Sequence, residues 1–176
     1  MSFIYPVDKE FSNHTNNYLI NRGKKLGIHY GLDFNSTDQH IKNKIEGKNI
    51  YAVDDGKVIF SDFNPSGYGN TIIIKHSNGL STLYAHMLDK SPYQYGDYVK
   101  QGAIIGKVGN TGISTGPHLH FEVIDQKGTK KIESVNRTPT GEYRHNIGIL
   151  KKDYKLDPKL YLPIDKNNYK SFAKKE

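Results

Sequence analysis

The chain has 176 residues, a net charge of +7 and no cysteine. This length fits one domain with a sizeable core, and the lack of cysteine rules out disulfides and a thiol nucleophile. No apolar run approaches the length of a transmembrane helix, and no basic segment followed by an apolar stretch marks a signal peptide at the N-terminus. The lysines are scattered rather than clustered, which argues against a nucleic-acid-binding protein.

The order of segments along the chain predicts one domain with two flanking pieces. Residues 1–25 are interpreted as a peripheral lead-in, residues 26–163 as the domain and residues 164–176 as a polar tail. Short β-branched and aromatic runs separated by glycines predict a mainly β fold, an antiparallel β-sandwich or barrel-like core with little helix. These runs lie at residues 57–60, 71–75, 81–85, 103–108 and 119–124.

The first pair of residues that could bind a metal ion is His29 and Asp33, four positions apart. Gly27 and Gly31 bracket the histidine and apolar residues alternate after it, so the segment is interpreted as a strand or an extended turn. Residues i and i+4 share a face on an extended strand, as they do on a helix. The two side chains are therefore expected to converge.

A second pair lies in residues 116–123, where apolar residues alternate with His118, His120 and a glutamate. The alternation predicts a β-strand with both histidines on one face. Two neighbouring imidazoles can bind one metal ion together, or one can bind the metal while the other acts as a general base. With His29 and Asp33, one of them completes the three protein ligands of a catalytic zinc site, whose fourth position is left to water.

These segments together resemble the lysostaphin/LytM-type zinc metallopeptidases, which cut peptide bonds in bacterial peptidoglycan. The resemblance covers most of the span 27–162. It implies an antiparallel β core with long loops around a zinc-binding groove. Beyond the two histidine motifs, the matching stretches are residues 52–58, 67–76, 82–87, 96–106, 111–123 and 156–162.

The resemblance also implies a role for each matching position. His29, Asp33 and His120 match the ligands of one zinc ion, and His86 and His118 match two catalytic histidines beside the metal-bound water. One imidazole would accept and return a proton, and the other would bind the oxyanion of the tetrahedral intermediate. By the same analogy, the expected substrate contacts are Asn70, Tyr84 and Thr115.

Two stretches depart from the family pattern without removing a motif residue. Residues 35–46 form a longer and more polar loop than usual, and residues 126–153 separate the last core strand from the terminal Asp-Pro segment. A further strand is predicted at residues 143–149. Because binding residues concentrate in loops carried on a rigid sheet, the two insertions are expected to flank the groove and set its specificity.

The implied function is a zinc-dependent endopeptidase that acts on peptidoglycan peptides, either stem-peptide crosslinks or cross-bridges. The basic charge favours attraction to anionic cell-wall polymers. The Lys- and Asn-rich, Trp-free composition and the missing export signal favour a phage-associated wall peptidase, an endolysin or a tail-associated lysin with virion partners, over a secreted housekeeping enzyme. Its place of action would be the bacterial cell wall.

Two other classes of function compete with this interpretation. The first is a non-catalytic wall-binding or regulatory relative of the same fold. All five ligand and catalytic positions carry the matching residue, which argues against such a loss of function. The second is a lipoyl- or biotinyl-type carrier module, which residues 96–102 resemble. A carrier has no need for the paired histidines, so this alternative is set aside.

Overall fold

A computed structural model of the chain describes residues 2–9, 12–15, 18–21, 28–36, 45–64, 67–136 and 152–163. The strands are β1 (Ser12–Thr15), β2 (Leu32–Ser36), β3 (Asn49–Tyr51), β4 (Gly56–Asn64), β5 (Gly69–Lys75), β6 (Ser81–Met87), β7 (Tyr98–Val99), β8 (Ile104–Lys107), β9 (Leu119–Ile124) and β10 (Lys155–Leu156). The helix α1 spans Gln126–Asn136, and single 3-10 turns span Lys152–Tyr154 and Pro158–Leu160. None of the helices in the described ranges is long and apolar enough to cross a membrane.

Eight strands in the described part of the chain form one antiparallel sheet. Their order is β1-β2-β9-β6-β5-β4-β7, with β10 paired to β9, while β3 and β8 form a second, two-stranded sheet. The mainly antiparallel β fold predicted from the sequence is confirmed. The large sheet is open, because its outer strands β1 and β7 do not pair with each other.

The central strands β6 and β9 are buried along their whole length on both faces of the sheet. One face carries the larger core, which includes Phe34, Tyr84 and Phe121. The opposite face carries a smaller core that includes Leu83 and Ala85, together with Ile132 of α1. The polar residues that β6 and β9 place on this second face are therefore buried.

The N-terminal residues belong to the core, although the sequence suggested a peripheral lead-in. Phe3 and Val7 are buried in the larger cluster. The backbone N–H of Ile4 donates to the carbonyl of Val53 (2.9 Å). Apolar side chains in a segment without periodicity gave no signal of this docking.

The late insertion begins with α1, which the sequence did not predict. The carboxylate of Asp125 accepts from the N–H of Gly128 (2.7 Å), as a helix N-cap does. A Cβ at Gly128 would lie 2.6 Å from the side chain of Ile124 and 2.7 Å from that of Tyr154, which explains a glycine inside the helix. The strand predicted at residues 143–149 and most of the early insertion lie outside the described residues.

Candidate active site

Asp33 and His120 are brought together by strand register. They are directly opposed partners in the β2–β9 ladder, so their side chains leave the same face of the sheet. His29 precedes β2, and its backbone bonds to a neighbouring segment: its N–H donates to Ile20 O (2.9 Å) and its carbonyl accepts from Leu19 N–H (2.6 Å). These contacts hold the His29 ring over the other two side chains.

The three predicted ligands form a tight triangle. His29 Nε2 lies 3.0 Å from Asp33 Oδ1 and 2.8 Å from His120 Nδ1, and His120 Nδ1 lies 2.9 Å from Asp33 Oδ1. All three residues are buried. Two imidazole nitrogens and one carboxylate oxygen are a donor set typical of catalytic zinc. The residues therefore fit a divalent cation of this kind.

The electrostatics of the triangle favour a positive charge at its centre. Burial raises the pKa of Asp33, but hydrogen bonds from His120 and His29 outweigh burial and hold that pKa well below its usual range. Burial lowers the pKa of His120, whereas its hydrogen bonds to Asp33 and Glu122 raise it, with a net value of about 9. A bound cation would replace the proton that His120 otherwise holds and would supply positive charge at the same place.

His86 and His118 lie beside this triangle with their ring centroids 4.7 Å apart. His86 Nδ1 donates to the carbonyl of Thr111 (2.7 Å), and His118 Nδ1 donates to the carbonyl of Gly116 (2.8 Å). A carbonyl can only accept, so Nδ1 carries the hydrogen in both neutral rings and Nε2 carries the lone pair. His118 Nε2 lies 3.8 Å from Asp33 Oδ1, on the side of the proposed metal.

The environment of His86 keeps its imidazole neutral. Burial and the neighbouring rings of His118 and His120 lower the pKa of His86 to about 3. A neutral imidazole can accept a proton, which is the state that a general base requires.

An irregularity in β6 brings His86 to this face. Ala85 opposes His120 in the ladder, so a regular strand would point His86 to the other face of the sheet. Instead His86 has a φ of +59°, a conformation that non-glycine residues rarely adopt. Residues 85 and 87 would share a face in a regular strand, but Ala85 packs in the smaller core and Met87 in the larger one. The alternation of faces is therefore reversed at His86. Such strained residues are often found at functional sites.

The three expected substrate contacts have different environments. Asn70 lies next to the end of β6, where its amide donates to the carbonyls of Met87 (3.3 Å) and Leu88 (3.1 Å). Thr115 is exposed in the loop that precedes His118. A substrate-binding role for either residue stays a prediction.

The expectation that Tyr84 contacts the substrate is wrong, because this residue lies in the core. Its side chain is fully buried in the larger core, on the face of the sheet opposite to Ala85 and His120. Its hydroxyl accepts from the N–H of Val53 and from the hydroxyl of Thr82, both at 3.0 Å. Tyr84 therefore has a structural position and cannot contact a substrate in the groove.

A buried polar group that was not predicted from the sequence lies behind His120. His120 Nε2 donates to Glu122 Oε1 (2.9 Å), and Lys155 of β10 forms an ion pair with the same carboxylate. Burial raises the pKa of Glu122, but the charge of Lys155 and the bond from His120 outweigh it and lower the pKa to about 2. Strand alternation places Glu122 on the face of the two histidines, so its position near the site could have been predicted. Lys155 lies thirty-three residues further on, and no sequence pattern predicted its contact with Glu122.

Replacement of Gly31 by Ala is expected to displace His120. A Cβ at Gly31 would lie 2.6 Å from both His120 Cε1 and the carbonyl oxygen of Phe121. The carbonyl belongs to a strand paired on both sides and cannot move freely, so the His120 ring must shift. Gly31→Ala should weaken zinc binding and lower turnover by about 10²-fold, the cost of misplacing a catalytic group by ~1 Å. Zinc titration and wall hydrolysis would measure both effects.

Gly116→Ala provides the matched control. Gly116 lies two residues before His118, and an added Cβ there meets no atom within 4 Å. This variant should bind zinc and turn over substrate as the unmodified chain does. Equal zinc affinity and equal turnover in Gly31→Ala and Gly116→Ala would show that the close approach of Gly31 to His120 does not affect function.

Comparison with known proteins agrees with this geometry. Residues 27–134 match the model of peptidase family M23. The peptidoglycan DD-endopeptidase ShyB of Vibrio cholerae is 37% identical over 124 residues, which cover 68% of this chain and 27% of ShyB. The chain thus spans about a quarter of the length of that curated relative.

Solved structures of peptidases share the fold. A zinc-containing peptidase from Vibrio cholerae matches with a TM-score of 0.60 and 36% identity, over 72% of this chain and 37% of that one. The catalytic domain of lysostaphin from Staphylococcus simulans matches with a TM-score of 0.61 and 28% identity, over 85% of this chain and 91% of that domain. The family model covers well over half of the chain, and the chain therefore belongs to peptidase family M23.

Proposed function

We propose that the chain is a zinc-dependent endopeptidase that hydrolyses peptide bonds in bacterial peptidoglycan. The observation that carries this proposal is the convergence of His29, Asp33 and His120 beside the imidazoles of His86 and His118. A purely wall-binding relative would have no need to keep both the cation-binding triangle and the two proton-accepting rings. Zinc is supported by the donor set and by the zinc-containing relative of the same fold.

The chain's own residues would divide the work as follows. Zinc bound by the triangle would acidify a water molecule and polarise the scissile carbonyl. His118, whose Nε2 is on the side of Asp33, would accept the proton of the attacking water and return it to the leaving amine. His86 Nε2 carries a lone pair when the ring is neutral, so this ring would accept a hydrogen bond from the attacking water rather than donate one to the oxyanion.

The substrate class, peptidoglycan peptides, is proposed from the relatives named above. Stem-peptide crosslinks and glycine-containing cross-bridges both remain candidates.

We place the activity at the cell wall, and we favour a phage-associated origin from the composition of the chain. Residues of the two insertions are proposed to flank the groove. Within the later one, α1 covers the smaller core through Ile132.

Digestion of purified sacculi of defined cross-bridge type is the direct test. The zinc-loaded protein should release new amino termini, which mass spectrometry would assign to one bond. Removal of the metal with a chelator should abolish this release, and added zinc should restore it. If zinc-loaded protein released no amino termini from any wall type while binding to sacculi, the non-catalytic alternative would replace this proposal.

A further inference from the structure

The carboxylate of Glu122 is buried and surrounded by hydrogen-bond donors. Its Oε1 accepts from His120 Nε2 and from the hydroxyl of Tyr68, each at 2.9 Å. Its Oε2 accepts from Lys155 Nζ, which also donates to the Tyr68 hydroxyl (2.9 Å). The Glu122 and Lys155 side chains are 2% and 1% exposed. The carboxylate therefore has a fixed orientation with both oxygens in use.

A buried ion pair of this kind is weak evidence of a contribution to stability. Removing two charges from water costs several kcal/mol per ion, and well-packed apolar residues often serve the fold equally well. The position of Glu122 between Lys155 and His120 points to a role directed at the histidine. Lys155 comes from β10, which lies beyond the residues 27–134 matched by the family model.

The effect on His120 follows from the chemistry of a carboxylate. An ionised carboxylate can only accept, so the ring nitrogen that faces it must carry the hydrogen. With His120 Nε2 fixed as an N–H, Nδ1, which faces Asp33 and His29, is the nitrogen that can release its hydrogen and offer a lone pair to a bound metal. An amide at position 122 could turn its NH₂ group toward the ring and would not impose this tautomer.

We infer that Glu122 fixes the tautomer and ring orientation of His120, and that Lys155 is a positioning residue that holds Glu122 in place. This inference rests on the proposed zinc site. Partners that orient a metal-binding histidine typically account for 10–100-fold in metal affinity. Glu122 and Lys155 would thus set the zinc affinity of the chain by orienting the ligand His120, without contacting the metal themselves.

Zinc affinity, measured by competition with a chromogenic chelator, tests the inference without relying on activity. Glu122→Gln should weaken zinc binding by about 10–100-fold. Lys155→Met should also weaken it, by about tenfold. The sign of the Lys155 effect is decisive, because removal of a nearby cation would tighten zinc binding if the charge acted only through its field. Unchanged or tighter binding in Lys155→Met would overturn the role of Lys155.

The double variant Glu122→Gln/Lys155→Met separates positioning from the burial of an unpaired charge. It leaves neither charge behind, so it should fold well, yet it should bind zinc no more tightly than Glu122→Gln. Recovery of the unmodified affinity in the double variant would overturn the inference. Nitrogen-15 NMR of the zinc-loaded protein gives an independent readout, because the chemical shift of the His120 Nε2–H group should change when Glu122→Gln replaces its carboxylate acceptor by an amide.

The exposed pair Lys75–Glu133 offers matched controls with the same substitutions. Its side chains are 38% and 31% exposed and its N–O distance is 2.9 Å. Lys75→Met and Glu133→Gln should leave zinc affinity unchanged. Failure of the unmodified chain to bind zinc would refute the proposed function itself. Normal zinc binding and wall hydrolysis, together with unaltered affinity in the Glu122 and Lys155 variants, would refute only the present inference.

Discussion

Asp33→Ala is expected to abolish stoichiometric zinc binding and wall hydrolysis. Asp33 Oδ1 lies within 3.0 Å of the ligand nitrogens of both His29 and His120, so the substitution removes the anionic member of the triangle. Only two neutral imidazoles would then remain, against the three protein ligands usual in catalytic zinc sites. The loss of affinity should exceed the 10–100-fold typical of residues that merely support a ligand. Elemental analysis after dialysis would measure the bound zinc.

Asp62→Ala is the matched control, because Asp62 forms an ion pair with Lys90 away from the triangle. It should retain one zinc per chain and full activity. Asp33→Asn keeps the side-chain size and guards against a folding defect in the alanine variant. Stoichiometric zinc and full activity in folded Asp33→Ala would show that the ligand assignment is wrong.

His118→Ala and His86→Ala are expected to keep zinc and lose turnover by about 10²–10³-fold each. Each ring, when neutral, has its lone pair on Nε2, but neither ring supplies one of the three converging atoms of the triangle. His86→Asn is a useful second variant, because asparagine tolerates the positive φ found at this position. Zinc content and the rate of amino-terminus release should be measured on the same preparations.

His120→Ala provides the contrast for this pair, since it lies on the same strand two residues after His118. It should lose zinc, whereas His118→Ala should not. Loss of zinc in His118→Ala together with retained activity in His120→Ala would reverse the assignment of the two histidines. A loss of zinc in all of these variants would mean that the rings of His86 and His118 also hold the metal.

The parts of the site that follow strand geometry could be predicted from the sequence. The two-residue period in residues 118–123 placed His118 and His120 on one face, and both lie near Asp33. The i, i+4 spacing of His29 and Asp33 allowed the same convergence in an extended segment. Regular backbone geometry turns these spacings directly into positions.

The remaining parts depend on departures from regular geometry or on contacts distant in sequence. His86 reaches the site through a positive φ that no spacing rule anticipates. Tyr84, predicted beside the substrate, is turned into the core by the regular part of the same strand. Lys155 reaches Glu122 only because β10 pairs with β9, and the segment before β10 offers no pattern that would fix this register.

The rings of His86 and His118 are oriented by main-chain carbonyls of Thr111 and Gly116, whereas His120 is oriented by a side chain. Every amino acid supplies a carbonyl, so the exposed positions Ile113 and Thr115 of the loop at residues 109–117 can change their side chains without losing these two acceptors. Gly109 and Gly112 cannot, because an added Cβ would lie 2.4 Å from neighbouring backbone atoms. The exposed positions are accordingly open to engineering of wall specificity. Position 122 has far less freedom, because its acceptor disappears with its side chain.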